Sequence, residues 1–316
     1  MRRALLVGIN DYPSAPLAGC VNDAHNMEAL LRRHDDGSVN FDTQLLTSDD
    51  ETVTRSRLRE AIEELFSAPA EVALLYFSGH GTENDLGGYL VTTDAAMYDE
   101  GVALSDVLAL ANRSSHIAEV AIIIDSCHSG WLGIVPAVDN AHASLREGLS
   151  ILSASRSSQA SLEQDESGVF TELVCSALDG GAADILGNVS VASIYAYVDQ
   201  ALGAWDQRPL FKSHVARMLS LRTAKPAIDI AILRRLPEWF DSDDAEFPLS
   251  PRHEHTAKPQ DSEAEETFRY LQRCNRVKLV EPIDEEDMYF AAINSTGCRL
   301  TALGRFYWRL AEDGRI

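Results

Sequence analysis

The chain has 316 residues, 45% of them hydrophobic, and a formal net charge of -22. That length holds one large domain plus a small one, and the apolar content excludes a wholly disordered chain. The negative charge repels nucleic-acid phosphates and anionic membrane and suits cationic substrates or partners; no apolar run approaches the length of a bilayer span.

In chain order, Met1-Arg2-Arg3 leads into the apolar run Ala4–Ile9, ended by Asn10-Asp11-Tyr12-Pro13. The run is too short for a secretory signal and ends as a strand ends at a loop, so it predicts a first core strand. Asn22–His34 puts Ala24, Met27, Leu30 and Leu31 on one stripe, which predicts a helix. Thr54–Phe66 does the same with Leu58, Ile62, Leu65 and Phe66. A second apolar run, Val72–Phe77, stops at Ser78-Gly79-His80-Gly81. After a helical stretch at Leu104–Ala111, a third run, Val120–Ile124, stops at Asp125-Ser126-Cys127-His128-Ser129-Gly130. Leu149–Leu152 is a fourth run, and Val169–Leu178 a further helix. The four runs are apolar on both faces, as parallel strands covered on both sides must be. Their alternation with helices predicts an α/β/α sandwich on a mostly parallel sheet.

Composition shifts near Ala224, giving a first domain of residues 1–224. Residues 225–262 read as a linker or arm, because Asp241–Glu266 is acidic, rich in Pro and Ser, and poor in aliphatics. Trp239 and Phe240 are expected to anchor that arm on the first domain, and the His253-Glu254-His255 triplet to be solvated rather than metal-binding. From residue 263 onward the pattern predicts a helix at Ala264–Asn275, a strand at Met288–Ile293 and a turn at Asn294–Gly297. Thr301 then caps a helix at Ala302–Glu312. Two helices and a hairpin are the parts of a small α+β winged-helix-like module, residues 263–316. The five cysteines are odd in number and lack Cys-x-x-Cys. A disulfide framework or zinc knuckle is not expected, and a reducing cytoplasm fits.

The chemistry sits where two apolar runs stop. If the second and third runs are neighbouring parallel strands, His80 and Cys127 emerge at one sheet edge, where open α/β sheets place their chemistry. Cys127 precedes a glycine-containing turn and helix, and a helix N-terminus or an imidazolium stabilises a thiolate. Gly79 and Gly81 let the backbone bend closely around His80, and the Gly81 and Cys127 N–H groups are placed to hold an oxyanion. Nucleophile, proton donor and oxyanion hole are the parts of acyl transfer. Taken singly, each residue has a blander reading: a buried cysteine as a small hydrophobe, a histidine as a structural group. His128, adjacent to the thiol in sequence, is expected to point away from it and not to be the base.

Tyr76-Phe77-Ser78-Gly79-His80-Gly81 and Asp125-Ser126-Cys127-His128-Ser129-Gly130 resemble the signature pair of the caspase-like cysteine peptidases, the metacaspase branch especially. Leu6–Tyr12, Leu17–Ala24, Ile151–Ala160 and Gly168–Thr171 resemble the same family in the same order, so the likeness spans residues 3–220. It implies a caspase–hemoglobinase fold with His80 and Cys127 as the catalytic dyad. It also implies an S1 pocket from Asp125, Asp23, Cys20 and Ser78, whose two carboxylates would take a P1 Arg, with Lys second. On residues alone, Asp23 also reads as a helix N-terminal carboxylate and Asp125 as a strand-end cap. The family's self-cleavage loop corresponds to Gly130–Gly148, in which Arg146 is the sole Lys or Arg and so the processing candidate.

No cofactor is expected. Some relatives need calcium, but the acidic residues Asp94, Asp99, Glu100 and Asp106 form no compact ligand loop, so a solvated face is expected there. The resemblance implies a latent enzyme, switched on by proteolysis or a partner, in a bacterial defence or cell-death pathway. Residues 263–316 carry acids in excess of bases, which favours a protein-contact or autoinhibitory module over DNA binding. The alternative is a catalytically silent caspase-fold regulator acting through that module.

Overall fold

The computed structural model describes residues 1–97, 99–126, 145–154, 163–164, 167–202, 209–255, 258 and 261–316. The chain divides into two compact units, residues 1–183 with 187–225, and residues 184–186 with 226–316.

The first unit runs β1 (Arg2–Gly8), α1 (Cys20–Leu31), β2 (Asp42–Thr47), α2 (Arg55–Ser67) and β3 (Ala70–Ser78). A small antiparallel sheet follows, β4 (Gly81–Asn84), β5 (Gly87–Ala96) and β6 (Asp99–Ala103). Then come α3 (Leu104–Arg113), β7 (Ile117–Asp125), β8 (Leu149–Ser153), β9 (Glu163–Gln164), β10 (Ser167–Gly168) and α4 (Val169–Ser176). The unit closes with β11 (Asn188–Val189), α5 (Val191–Leu202), β12 (Leu210–His214) and β13 (Arg222–Thr223).

The central sheet has the order β12-β8-β7-β3-β1-β2 and is parallel throughout except for the edge strand β12. The four apolar runs are β1, β3, β7 and β8. Their side chains alternate between two cores. Ala73, Leu75 and Phe77 of β3 join Val120, Ile122 and Ile124 of β7 in a core with Leu58, Ile62 and Leu65 of α2 and Val107 and Leu108 of α3. Val72, Leu74 and Tyr76 join Ala121 and Ile123 in the opposite core, with Met27 and Leu31 of α1, Val174 of α4 and Ile194 of α5. Each such large side chain, fully buried, contributes about 1.5–3 kcal/mol. The sheet is therefore a three-layer α/β/α sandwich, as its apolar strands require.

The second unit contains α6 (Ile230–Leu233), α7 (Leu236–Trp239), β14 (Glu246–Phe247), α8 (Ser262–Arg276), β15 (Val280–Pro282), α9 (Met288–Ile293), β16 (Cys298–Leu300) and α10 (Ala302–Glu312). Four sequence expectations are corrected here. The arm expected at residues 225–262 is not borne out over residues 228–249: Ile228, Ile232, Leu233, Leu236, Phe240 and Leu249 are buried in one core with Phe268 and Leu271 of α8. Polar composition across Asp241–Glu266 masked the apolar spacing just before it. Trp239 and Phe240 serve this second core: Trp239 stacks on Tyr270 at 5.9 Å, and Trp308 donates its indole N–H to the Phe240 carbonyl at 2.8 Å. The residues Met288–Ile293 form a helix, not a strand. Asp287 caps it by accepting the Phe290 N–H at 2.9 Å, and Met288, Ala291 and Ala292 bury one helical face. Aromatic and β-branched composition suggested a strand, but burial at spacing of three and four residues decides for helix.

The His253-Glu254-His255 triplet is likewise not a solvated stretch. His253 and Glu254 are buried, with the His253 ring bonded to Ser250, and His255 alone is exposed. Burial is the main cause that lowers the His253 pKa from its ordinary value. Thr301 caps α10 by accepting the Gly304 N–H at 3.0 Å. The three strands of this unit pair antiparallel in the order β14-β16-β15. Among the described residues, no helix is long and apolar enough to cross a membrane.

Candidate active site

The register of the sheet builds the site. Gly8 of β1 pairs with Ser78 of β3, and Ser78 pairs with Asp125 of β7, so all three stand in one row at the carboxyl edge. Helix α1 begins just beyond β1, at Cys20, and brings Asp23 in over that row. The helix lacks a side-chain cap from Gly19. Asn10 supplies it instead: its Oδ1 accepts the Cys20 N–H at 2.9 Å and the Val21 N–H at 3.4 Å.

Asp23 and Asp125 are 1% and 9% exposed. Burying a carboxylate costs several kcal/mol, so its donors matter. The Ser78 hydroxyl donates to Asp23 Oδ2 at 3.1 Å, and the Gly168 N–H reaches the same oxygen at 3.4 Å. The Thr171 hydroxyl, on the first turn of α4, donates to Asp125 Oδ2 at 2.7 Å. Tyr76 closes the chain, its hydroxyl 2.6 Å from the Thr171 oxygen. Burial and then the neighbouring charges of Asp125 and Asp23 push the Tyr76 phenol well above its ordinary pKa, so it stays neutral. Gly168 touches both acids: a Cβ there would lie 2.6 Å from Asp125 Oδ2 and 3.5 Å from Asp23 Oδ2. Ser78, Thr171 and Gly168 are neutral donors that orient the two carboxyl groups. Together they make a buried acidic floor at the carboxyl edge of the sheet. Cys20 is buried beside it, at the start of α1.

His80 stands two residues past the same edge. Gly79 donates its N–H to the Asp125 carbonyl at 3.2 Å, which ties the turn to β7. Gly79 has no room for a side chain, since a Cβ would come within 2.5 Å of the Tyr12 hydroxyl. The His80 Nε2 lies 2.7 Å from the Ala15 carbonyl. A carbonyl only accepts, so Nε2 carries the proton, and in the neutral ring Nδ1 is left as the basic nitrogen. Gly81 opens β4 and pairs in register with Leu90. A groove of 290 Å³ runs along this rim, lined among others by Pro13, Ala15, His80, Gly81 and Thr93.

Cys127 lies outside the described residues. The described chain reaches Ser126, directly after β7 ends at Asp125, beside the strand that delivers His80. Arg146 is at the other end of the sheet. Its guanidinium donates to the carbonyls of Ala111 at 3.0 Å, Glu147 at 2.6 Å and Ile117 at 3.0 Å, and its own N–H binds Asn112 Oδ1 at 2.8 Å. Ile117 begins β7 and Asp125 ends it, which separates Arg146 from the candidate site by roughly 26 Å at 3.3 Å per residue. The acidic residues Asp94, Asp99, Glu100 and Asp106 do not converge. Asp94 accepts from the Arg55 N–H and from Thr92, and Asp99 pairs with the Arg55 guanidinium; Glu100 accepts from Asn84, and Asp106 pairs with Arg59. Among the described residues, no group of three or more His, Cys, Asp or Glu is placed to hold a metal ion.

Sequence reasoning missed the roles of Asn10, Tyr12, Tyr76, Thr171 and Gly168. Tyr76 carried a usable signal, because a phenol inside an apolar strand needs a buried partner.

The layer order, the parallel sheet and the carboxyl-edge histidine define a caspase-type α/β protein. A crystal structure of a Geobacter sulfurreducens protein matches the fold with a TM-score of 0.50 over 71% of this chain and 99% of that one, at 17% identity. The family profile described as Caspase domain matches residues 1–220, and the chain belongs to that family. It is 33% identical over 155 residues to Metacaspase-7 of Arabidopsis thaliana, covering 42% of this chain and 35% of the relative. Over 162 residues it is 28% identical to Metacaspase-1 of Mycosarcoma maydis, covering 46% and 40%. The chain thus spans less than half the length of these curated relatives.

Proposed function

We propose that this chain is a cysteine endopeptidase that cuts peptide bonds after Arg, with Lys second, using Cys127 and His80. The observation that carries the reading is the buried pair Asp23 and Asp125, built on the same sheet edge as His80. The guanidinium of P1 Arg binds between the two carboxylates, which fit it better than an ammonium because they offer bidentate acceptors. The Cys127 thiolate attacks the scissile carbonyl carbon, and the Gly81 and Cys127 N–H groups hold the oxygen as it gains charge. His80 Nδ1, which takes the Cys127 thiol proton to form that thiolate, gives it to the leaving amine as the C–N bond breaks, which leaves a thioester on Cys127. The same nitrogen then takes a proton from water as water attacks the thioester, releasing the carboxylate product and the thiol. No organic cofactor enters these steps.

The family resemblance supports placing this activity under control, with a latent form released by proteolysis or a partner in a bacterial defence pathway. Residues 263–316 then serve as the protein-contact module. Turnover of fluorogenic peptides with Arg, Lys or Asp at P1 tests the core reading, with Cys127→Ala as control and with or without calcium. Cys127-dependent turnover of the Arg peptide is expected. Turnover of the Asp peptide would refute the carboxylate pocket, and silence on all three in the processed and unprocessed protein would favour a silent regulator.

A further inference from the structure

The loop after β1 holds His80 from two sides. Its ends are pinned, since the Tyr12 and Leu17 N–H groups both donate to the Asn10 carbonyl, at 3.0 and 2.9 Å. From within it, the Ala15 carbonyl takes His80 Nε2, as described. From the other side comes Tyr12, a residue only 6% exposed. Its ring packs on the imidazole with centroids 4.5 Å apart and planes at 54°. Its hydroxyl accepts the His80 backbone N–H at 3.0 Å and donates to the Val91 carbonyl of β5 at 3.2 Å. Burial raises the Tyr12 pKa far above its ordinary value, so the proton that it donates to Val91 is retained across the working pH range. One side chain therefore fixes the backbone and the ring of His80, and ties both to β5.

We infer that Tyr12 is a positioning residue for His80, holding the imidazole where its Nδ1 meets the leaving amine. The inference rests on the cysteine-peptidase reading. The Tyr12 hydroxyl bonds to His80 and Val91 and its ring packs on His80, so its loss should act on the proton transfer rather than on substrate affinity. The Gly79 backbone fits the same picture, because a Cβ there would displace the Tyr12 hydroxyl.

The test compares Tyr12→Leu and Tyr12→Phe with wild type on the Arg peptide, with melting temperatures measured on the same full-length samples. Tyr12→Leu removes ring and hydroxyl, and should lower kcat by roughly 30- to 100-fold, the scale of a misplacement of about 1 Å, with KM within about twofold. Tyr12→Phe restores the ring and should recover most of that loss, remaining roughly 3- to 10-fold below wild type for the missing hydrogen bonds. A normal kcat in both variants, or a loss carried by KM, would overturn the inference. Wild type without Cys127-dependent turnover would overturn the peptidase reading and this inference with it, an outcome visible before either Tyr12 variant is assayed. Tyr12→Phe is close to isosteric, so the comparison survives if the leucine variant folds poorly.

Discussion

The carboxylate floor and the histidine rim lie at one sheet edge but are built by different means. The floor is buried. Asp23 and Asp125 are fixed by short-range neutral donors that come from β3, β10 and α4. The rim is more exposed, and His80 is fixed by a loop whose residues Tyr12 and Ala15 grip it from outside the sheet. A desolvated floor needs rigid satisfied acids, because each carboxylate would otherwise cost several kcal/mol. The proton-transfer role proposed for His80 needs access to water and a defined ring orientation, and a tethered rim suits both. Asn10 joins the two: its amide caps the helix that carries Cys20 and Asp23, and its carbonyl pins the loop that carries Tyr12.

The comparison breaks most completely at the dyad. Cys127→Ala or His80→Ala should each lower kcat on the Arg peptide by roughly 10³-fold or more, the scale seen when a nucleophile or its base is deleted. Retained turnover in either variant would place the chemistry elsewhere. Next come the floor acids. Asp125→Asn and Asp23→Asn keep shape and lose charge, and should reduce kcat/KM for the Arg peptide by roughly 10²-fold, as loss of one partner of a buried charge pair does. An Arg-over-Lys preference unchanged in both variants would show that neither acid reads P1.

Smaller effects separate floor from rim more finely. Gly168→Ala brings a methyl to 2.6 Å from Asp125 Oδ2, so the acid must turn aside. The expected result is a roughly tenfold rise in KM for the Arg peptide with little change in kcat, about 1.4 kcal/mol of lost binding. The opposite split would move Gly168 from the floor to the reacting centre. Thr171→Val acts on stability instead, deleting the hydroxyl that Asp125 and Tyr76 share. It should destabilise the fold by about 1–3 kcal/mol, the cost of buried polar groups that lose a partner. Chemical denaturation of Thr171→Val against Thr171→Ser reads this directly, and equal stability of the two would mean that the hydroxyl is dispensable.

Legibility followed the size of the local signal. β1, β3, β7 and β8 could be read because both faces of each strand are buried, which leaves an unbroken apolar run. The edge strands β2 and β12 carry Asp42, Thr43, Gln44, Lys212, Ser213 and His214, so their pairing is invisible without the neighbour. In the second unit, Ile228–Phe240 looked like an arm and Met288–Ile293 like a strand. The helices misread there, α6, α7 and α9, are four to six residues long and too brief to show a period, unlike α8 and α10.

The sequence alone determined that a parallel α/β sheet would deliver a histidine at the end of one apolar strand and a cysteine after another, because burial and strand ends leave local patterns. Only the tertiary structure decided what stands around them. Asp23 meets Asp125 through the sheet register and the entry of α1, and Tyr12 meets His80 by the return of a loop. The contacts that fix the two acids join residues 46 to 145 positions apart in the chain, as Thr171 to Asp125 and Gly168 to Asp23 illustrate, and chain separation leaves no periodicity to read.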